Sequence, residues 1–238
     1  MGVDVRVVVV RERGRHEEVA TWLEETFASV AATRTVERSD DDVRRDLIPA
    51  AAGASWIVVT SSRSVVVLTR VRDVVGPATR VAAVGESTAR ALDAAGWRVD
   101  LVGEGGALSL ADGVASPVLL VGAAHPRTEL DDELTRRGVE VRRGVLYSTE
   151  SVSLDARDRR LLGDADVIVL GAPSSWRVVA PFVREEAVVV VPGETTRSEV
   201  ALDHERVVVG WGENWPSARE LITKRFHVDP RGEFGPGG

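Results

Sequence analysis

Ser55–Leu68 reads SWIVVTSSRSVVVL, and Ala165–Val179 reads ADVIVLGAPSSWRVV. In both, a short run of Val, Ile and Leu breaks into small polar residues. Runs of that length between turn residues fit strands buried on both faces, as in a parallel sheet. Working outward, two more pairs of segments echo each other in the same order. VRVVVVRERGRHEEVATWLEETF (Val5–Phe27) matches SPVLLVGAAHPRTELDDELTRRG (Ser116–Gly138), and VAAVGESTARAL (Val81–Leu92) matches VVVVPGETTRSEV (Val188–Val200). Anchored on Val8 and Leu119, Val58 and Ile168, and Gly85 and Gly193, the offsets are 119 − 8 = 111, 168 − 58 = 110 and 193 − 85 = 108. Three ordered blocks at a near-constant offset mark an internal duplication of an α/β unit of domain size.

The remaining segments fit the same class. Strands are expected over Val3–Val10, Trp56–Thr60, Arg80–Val84, Arg98–Val102, Pro117–Val121, Val139–Leu146, Asp166–Leu170, Ala187–Val191 and Arg206–Val209. Helices are expected over His16–Phe27, Ser87–Ala95, Arg127–Arg137 and Thr196–Leu202, with Gly96 and Gly138 as left-handed stops. The fold class is therefore α/β, with parallel sheets flanked by helices.

Composition narrows the function. A hydrophobic fraction of 44% with 28% charged residues suits a globular chain with a core. No apolar run reaches the length of a membrane span, and the first apolar run passes at once into arginines, so it reads as a strand and not as a signal peptide. There are no cysteines, which excludes disulfides, thiolate metal sites and a cysteine nucleophile. A cytoplasmic location is expected. The net charge of −7 argues against a nucleic-acid partner, because no basic block stands clear of acidic residues. All basic residues but Lys224 are arginines, a bias expected of a GC-rich genome.

Three pairs of strand ends pass into polar residues: Arg11–Arg15 with Gly122–Arg127, Thr60–Ser64 with Gly171–Ser175, and Gly85–Thr88 with Gly193–Thr196. Parallel α/β sheets bind ligands beyond the carboxyl ends of their strands, where helix N-termini offer unpaired N–H groups and a positive dipole end. The candidate carboxylate-binding residues are Arg11, Ser61, Ser62, Ser64, Gly85, Ser87, Thr88, Arg127, Ser174, Ser175, Thr195 and Thr196. Helix capping is the plain alternative for the hydroxyls and is compatible with binding. There is no Walker loop, no G-x-G-x-x-G and no G-x-S-x-G elbow, so neither a nucleotide cofactor nor a nucleophilic hydrolase is indicated. His16, His125, His204 and His227 lack metal-ligand spacing, and no metal site is expected. Tyr147, the chain's one tyrosine, ends the run GVEVRRGVLY. It is either a half-buried packing residue or a proton donor, since a phenol is protonated at neutral pH.

These blocks together resemble the uroporphyrinogen-III synthase family. The resemblance rests on VVVVR ending at Arg11, IVVTSSRSV ending at Val65, AVGESTARAL ending at Leu92 and RTELDDELTRRGVEVRRGVLY ending at Tyr147, with APSSW and PGETTRSEV in the second repeat. It runs from Val5 to Leu221. It implies two domains that do not coincide with the repeats: residues 1–35 with 151–238, and residues 36–150. Two strand-like linkers, near Thr33–Glu37 and Leu146–Ser151, would cross side by side, and the substrate would lie between the domains. The implied activity is that of a cyclising hydro-lyase of porphyrin and heme biosynthesis. It converts the linear tetrapyrrole hydroxymethylbilane to uroporphyrinogen III, with loss of water and inversion of ring D through azafulvene and spiro intermediates. No cofactor or metal is implied, Tyr147 becomes a candidate general acid, and a monomer is expected.

Several positions depart from the family pattern: Arg63 in the first serine turn, Gly171-Ala172 before the second, Pro192, Arg197-Ser198, and Gly122-Ala123-Ala124 after Leu120 and Val121. They leave open a homologue repurposed for another anionic or tetrapyrrole-like substrate, or a noncatalytic ligand-binding module. A cytoplasmic relative of hinged periplasmic receptors is disfavoured by the absence of an export signal before the first strand.

Overall fold

Runs of consecutive apolar residues form the central strands, which are buried on both faces, while the edge strands, Leu101–Val102 and Val207–Val209, are partly exposed. A computed structural model describes residues 5–13, 27–104 and 106–210, together with residues 216 and 220. The start of the first expected strand, most of the His16–Phe27 helix, His16 and His227 lie outside the described residues. Two compact units emerge: Met1–Arg34 with Glu150–Gly238, and Thr35–Thr149.

The first unit holds β1 (Val7–Glu12), β2 (Phe27–Glu37), β8 (Val167–Leu170), β9 (Val188–Val191) and β10 (Val207–Val209), in the order β10-β9-β8-β1-β2. β2 runs past its boundary into the second unit. The second unit holds β3 (Trp56–Val59), β4 (Arg80–Ala83), β5 (Leu101–Val102), β6 (Val118–Ala123) and β7 (Val141–Ser151), in the order β7-β6-β3-β4-β5, and β7 runs back across the boundary. The ladders described within each unit are parallel. Under the duplication β1 corresponds to β6, β2 to β7, β8 to β3, β9 to β4 and β10 to β5. The two units thus share one strand order.

The period of two along each strand sorts the core. In the second unit Ile57, Val59, Val81, Ala83, Leu119 and Val121 face helices α1 (Asp40–Ala51), α2 (Arg63–Arg70) and α3 (Glu86–Ala94), whose Leu47, Leu68 and Leu92 are fully buried. Trp56, Val58, Ala82, Val118 and Leu120 face the other way, against Leu110 and against Leu130 and Leu134 of α4 (Glu129–Arg136). In the first unit Val8, Val10, Ile168, Leu170, Val189 and Val191 pack on α5 (Ala156–Asp164), α6 (Pro173–Val179) and α7 (Glu194–Val200) through Leu162, Trp176 and Val200. Full burial of each such aliphatic side chain stabilises by about 1.5–3 kcal/mol.

Helix stops follow the glycines. Gly96 has φ 76° and Gly138 φ 73°, a region other residues rarely adopt. After α3 the Gly96 and Trp97 N–H groups donate to Asp93 and Leu92 carbonyls, and after α4 those of Gly138 and Val139 donate to Thr135 and Leu134. Both are Schellman closures.

Several elements differ from expectation: β5 keeps only Leu101–Val102 of the strand expected over Arg98–Val102, and α2, α5 and α6 are helices beyond those expected. β2 begins at Phe27, where a helix was expected to end, and continues through the segment taken as a linker. β7 merges the expected strand and linker into eleven residues. α1 (DDDVRRDLIPAA) forms despite Pro49 in its last turn, where Pro49 deprives only the Arg45 carbonyl of its donor. Its start is secured by Ser39, whose hydroxyl accepts from Asp42 N–H at 3.2 Å, with three aspartates in the first turn.

Candidate functional site

In an open parallel sheet the crevice opens where neighbouring strands lead their connections in opposite directions. In the second unit that switch point falls between β3 and β6, and in the first unit between β8 and β1. The carboxyl ends there are Thr60–Ser64 beside Gly122, and Gly171–Ser175 beside Arg11. Two of the three sequence-predicted pairs of strand ends therefore meet at switch points. Gly85–Thr88 and Gly193–Thr196 end the next strand outward in each unit.

One strand of each switch point, β1 or β6, carries a register shift at an equivalent position in the ladder on its other side, with β2 or β7. The ladder shifts between Arg11 and Glu12, so that Glu12 stands opposite Thr33, and between Gly122 and Ala123, so that Ala123 stands opposite Tyr147. Bulges are uncommon in parallel pairs and concentrate beside functional sites. Thr33 is thereby the first-unit counterpart of Tyr147. It is buried, and its hydroxyl lies 3.4 Å from that of Ser175. Sequence reading passed over Thr33, because its spacing from Tyr147, 147 − 33 = 114, lies outside the 108–111 of the three echoes and only the ladder register pairs the two.

The helices that follow the strand ends share a second property. The N-cap residues of α2, α3, α4, α6 and α7 are Ser62, Gly85, Thr128, Ala172 and Gly193, and none makes a side-chain cap bond. By contrast α1 and α5, which follow the crossing strands, are capped by Ser39 and Asp155. Ser87 and Thr195 are not caps at all: each is the second residue of its helix. Ser61 does turn its hydroxyl toward the backbone, accepting from Arg63 N–H at 3.2 Å. The first turns of α3, α4 and α7 already carry acids: Glu86, then Glu129, Asp131 and Asp132, then Glu194. Those of α2 and α6 carry none. Among the described helices these two starts, at the serine turns, thus have no acid in the first turn to oppose a further negative charge.

Side chains at these turns fall into three groups. Ser64, Thr88, Ser175 and Thr196 are buried, Ser61, Ser62 and Ser174 are half-buried, and Ser87, Thr195 and Arg127 are exposed. Ser64 is 0% exposed, and its Oγ has no hydrogen-bond partner among the described residues. A buried hydroxyl left without a partner costs roughly 1–3 kcal/mol, which is unusual enough to require a reason. Gly122 admits Thr60 to its switch point: a Cβ there would collide with Thr60 Oγ1, which donates to Val121 O at 3.0 Å. The same edge borders a hollow of about 310 Å³ reached by Thr60, Gly122, Thr128 and Arg143.

Arg11 is half-buried. Its guanidinium reaches the Ser29 hydroxyl and the Glu12 carbonyl, and it has no carboxylate partner among the described residues. Burial lowers its pKa first and the charge of Arg13 second, against the opposing pull of Asp158, yet a guanidinium remains charged. Tyr147 is 4% exposed and packs in the core of the second unit, and its hydroxyl makes no hydrogen bond with a described residue. Among the described residues no group of His, Cys, Asp or Glu is placed to hold a metal ion. His204 is buried, with Nε2 2.8 Å from Ala187 O and its ring edge-on to Trp176. No helix among the described residues is long and apolar enough to cross a membrane.

The fold and these edges define a class: a duplicated, doubly wound α/β protein with helix N-termini, hydroxyls and an arginine at the carboxyl ends of its switch-point strands. A family model described as HEM4, uroporphyrinogen-III synthase HemD, matches residues 18–209. The chain belongs to the uroporphyrinogen-III synthase family, the cyclising lyases of tetrapyrrole biosynthesis. Two solved structures have the same fold. A mutant uroporphyrinogen III synthase from the extremely thermophilic bacterium Thermus thermophilus is 18% identical with a TM-score of 0.65, covering 92% of this chain and 99% of that one. The uroporphyrinogen-III synthetase of Helicobacter pylori is 15% identical, also with a TM-score of 0.65 and the same coverage. No curated protein matches the chain.

Proposed function

We propose that the chain converts hydroxymethylbilane to uroporphyrinogen III, holding the carboxylates of the substrate on the uncapped helix starts of its switch points. Family membership over residues 18–209 supports the reaction, and it favours the cyclase over a repurposed homologue or a noncatalytic binder. The observation that carries the binding mode is the contrast, among the described helices, between five without a side-chain cap, which follow β3, β4, β6, β8 and β9, and two capped ones, which follow β2 and β7. A side-chain bond from the N-cap residue would occupy N–H groups that a carboxylate needs, and these five helices have none. At α2 a carboxylate must instead displace local bonds, since Arg63 N–H donates to Ser61 Oγ at 3.2 Å and Ser64 N–H to Ser61 O at 3.0 Å, whereas at α6 Ser174 N–H makes no bond among the described residues.

The roles follow from charge and placement. Ser61, Ser62 and Ser64 with the start of α2, and Ser174 and Ser175 with the start of α6, take carboxylates where no acid competes. Gly85, Ser87 and Thr88, with Thr195 and Thr196, supply N–H and hydroxyl donors at the adjacent ends. Arg11 and Arg127 supply full charges. Charge-assisted hydrogen bonds of this kind contribute about 1.5–3 kcal/mol each. Their summed effect is to hold a flexible, reactive chain in the geometry from which inversion, and not direct closure, takes place. Tyr147 gives its proton to the departing hydroxyl, which leaves as water, and the proton released on ring closure restores the balance. The two compact units serve as the two domains of the enzyme, which acts as a cytoplasmic monomer without a nucleic-acid partner.

The test is the isomer composition of the product. Hydroxymethylbilane supplied to the protein should yield mainly the type III isomer, while buffer alone yields type I. Type I product alone, at protein concentrations that bind the substrate, contradicts the proposal and favours the repurposed homologue.

A further inference from the structure

The opposite, amino-terminal edge of the second unit's sheet holds a separate hollow of about 590 Å³. It lies where β4 and β5 begin, one strand length, about 13 Å at 3.3 Å per residue, from the Gly85 turn at the other end of β4. Arg72, Arg80 and Arg98 line it, together with Trp97 and a single carboxylate, Asp100.

Two arginines outside its lining are matched to acids. Arg44 pairs with Asp73, and Arg70 with Glu37 and Asp40. Arg72 and Arg80 are held differently. Arg72 stacks over the Trp97 ring with its carbon 4.4 Å from the centroid and donates to the Gly96 carbonyl at 2.8 Å. Arg80 lies over Trp56 at 5.1 Å. Neither has a carboxylate partner among the described residues. Asp100 is largely committed: one oxygen accepts from Val81 N–H at 3.0 Å, and the other faces Arg98 Nε at 3.4 Å. Of the three lining arginines only Arg98 thus faces a carboxylate, and that one also accepts from Val81 N–H, in a chain whose net charge is −7.

A guanidinium fixed over an aromatic ring keeps its charge and its outward donors while losing rotational freedom. That arrangement prepares a receptor, because little side-chain entropy remains to be lost when an anion arrives. We propose that this hollow is a second ligand site, which binds a small multivalent oxyanion carrying two or more carboxylate or phosphate groups. It is independent of the cyclisation site in position and in the residues it uses.

The test follows the indole N–H signal of Trp97 by NMR in the full chain, assigned with Trp97→Phe, during titration with citrate and, separately, inorganic pyrophosphate. Saturable movement of that signal by at least one probe, weakened by added salt, is expected. Tighter binding of pyrophosphate identifies the phosphate class, and tighter binding of citrate the polycarboxylate class. Arg98→Gln should weaken binding by roughly threefold to tenfold without changing the melting temperature, because the side chain is 91% exposed. Arg80→Gln should weaken it at least as much, and Ser64→Ala at the other edge should leave it unchanged. A Trp97 signal that does not saturate at millimolar probe, or equal affinity in the Arg98→Gln and Arg80→Gln variants and the parent, overturns the proposal.

Discussion

Ser64→Ala should make the protein more stable and less active. The Ser64 hydroxyl is fully buried in the first turn of α2 without a hydrogen-bond partner among the described residues. Leaving it so costs about 1–3 kcal/mol relative to a hydrated hydroxyl. Deleting the oxygen forfeits only a few contacts worth about 0.1–0.2 kcal/mol each. The net gain is about 1 kcal/mol, or a rise in melting temperature of about 2–4 °C for a chain of this size. If the hydroxyl is kept for a substrate carboxylate, its loss removes about 1.5–3 kcal/mol of charge-assisted bonding, which corresponds to roughly 10- to 100-fold in kcat/KM. Thermal unfolding and initial rates of type III formation on the same preparation check both halves. A variant that melts lower than the parent, or that turns over at the parental rate, refutes the assignment of Ser64 to the substrate.

Gly122→Ala should destabilise by about 1–3 kcal/mol in urea titration, because its Cβ would overlap Thr60 Oγ1 and one of them must move. Tyr147→Phe should slow turnover by up to about 100-fold as a general acid, yet leave the melting temperature unchanged, since no described residue bonds the hydroxyl; a lower melting temperature with a normal rate assigns the tyrosine to packing. Arg136 first and Arg137 second hold the Glu133 carboxyl down, from its ordinary 4.5 to about 2. The folded pKa is depressed, so the stabilisation is complete above about pH 4.5 and is lost as pH falls through about 2. Glu133→Gln should lower the urea midpoint at pH 7 and flatten its pH dependence between those values.

The strands that were legible in the sequence are those buried on both faces, because WIVV, VIVL and VVVV need no periodicity to announce them. The Schellman glycines at Gly96 and Gly138 were legible too, since a left-handed φ leaves little choice of residue. β2 was not: FASVAATRTVE is rich in Ala and Thr, half-buried, and continues an amphipathic stretch that reads as helix until the β1 ladder claims it. α1 was hidden by Pro49, whose cost is small in a last turn. At the candidate site the six strand ends were visible as polar breaks after apolar runs. Which of them meet at switch points depends on strand order, and that the Ser62 and Thr128 hydroxyls do not cap their helices depends on rotamers. Neither is written in local composition. The orphaned Ser64 hydroxyl and the bulge that brings Thr33 to Ser175 belong to the same category.

The binding mode is tested most directly by the backbone amides themselves. Titration with uroporphyrinogen III under reducing conditions, followed by amide NMR, should move the first-turn N–H signals of α2 and α6 most, those of α3 and α7 next, and those of the side-chain-capped α1 and α5 little. The largest shifts should involve Ser64 and Ser175, at the two helix starts free of acids. Shifts concentrated at α1 and α5, or at the Arg72–Arg80 edge, with the serine turns unmoved, would contradict it.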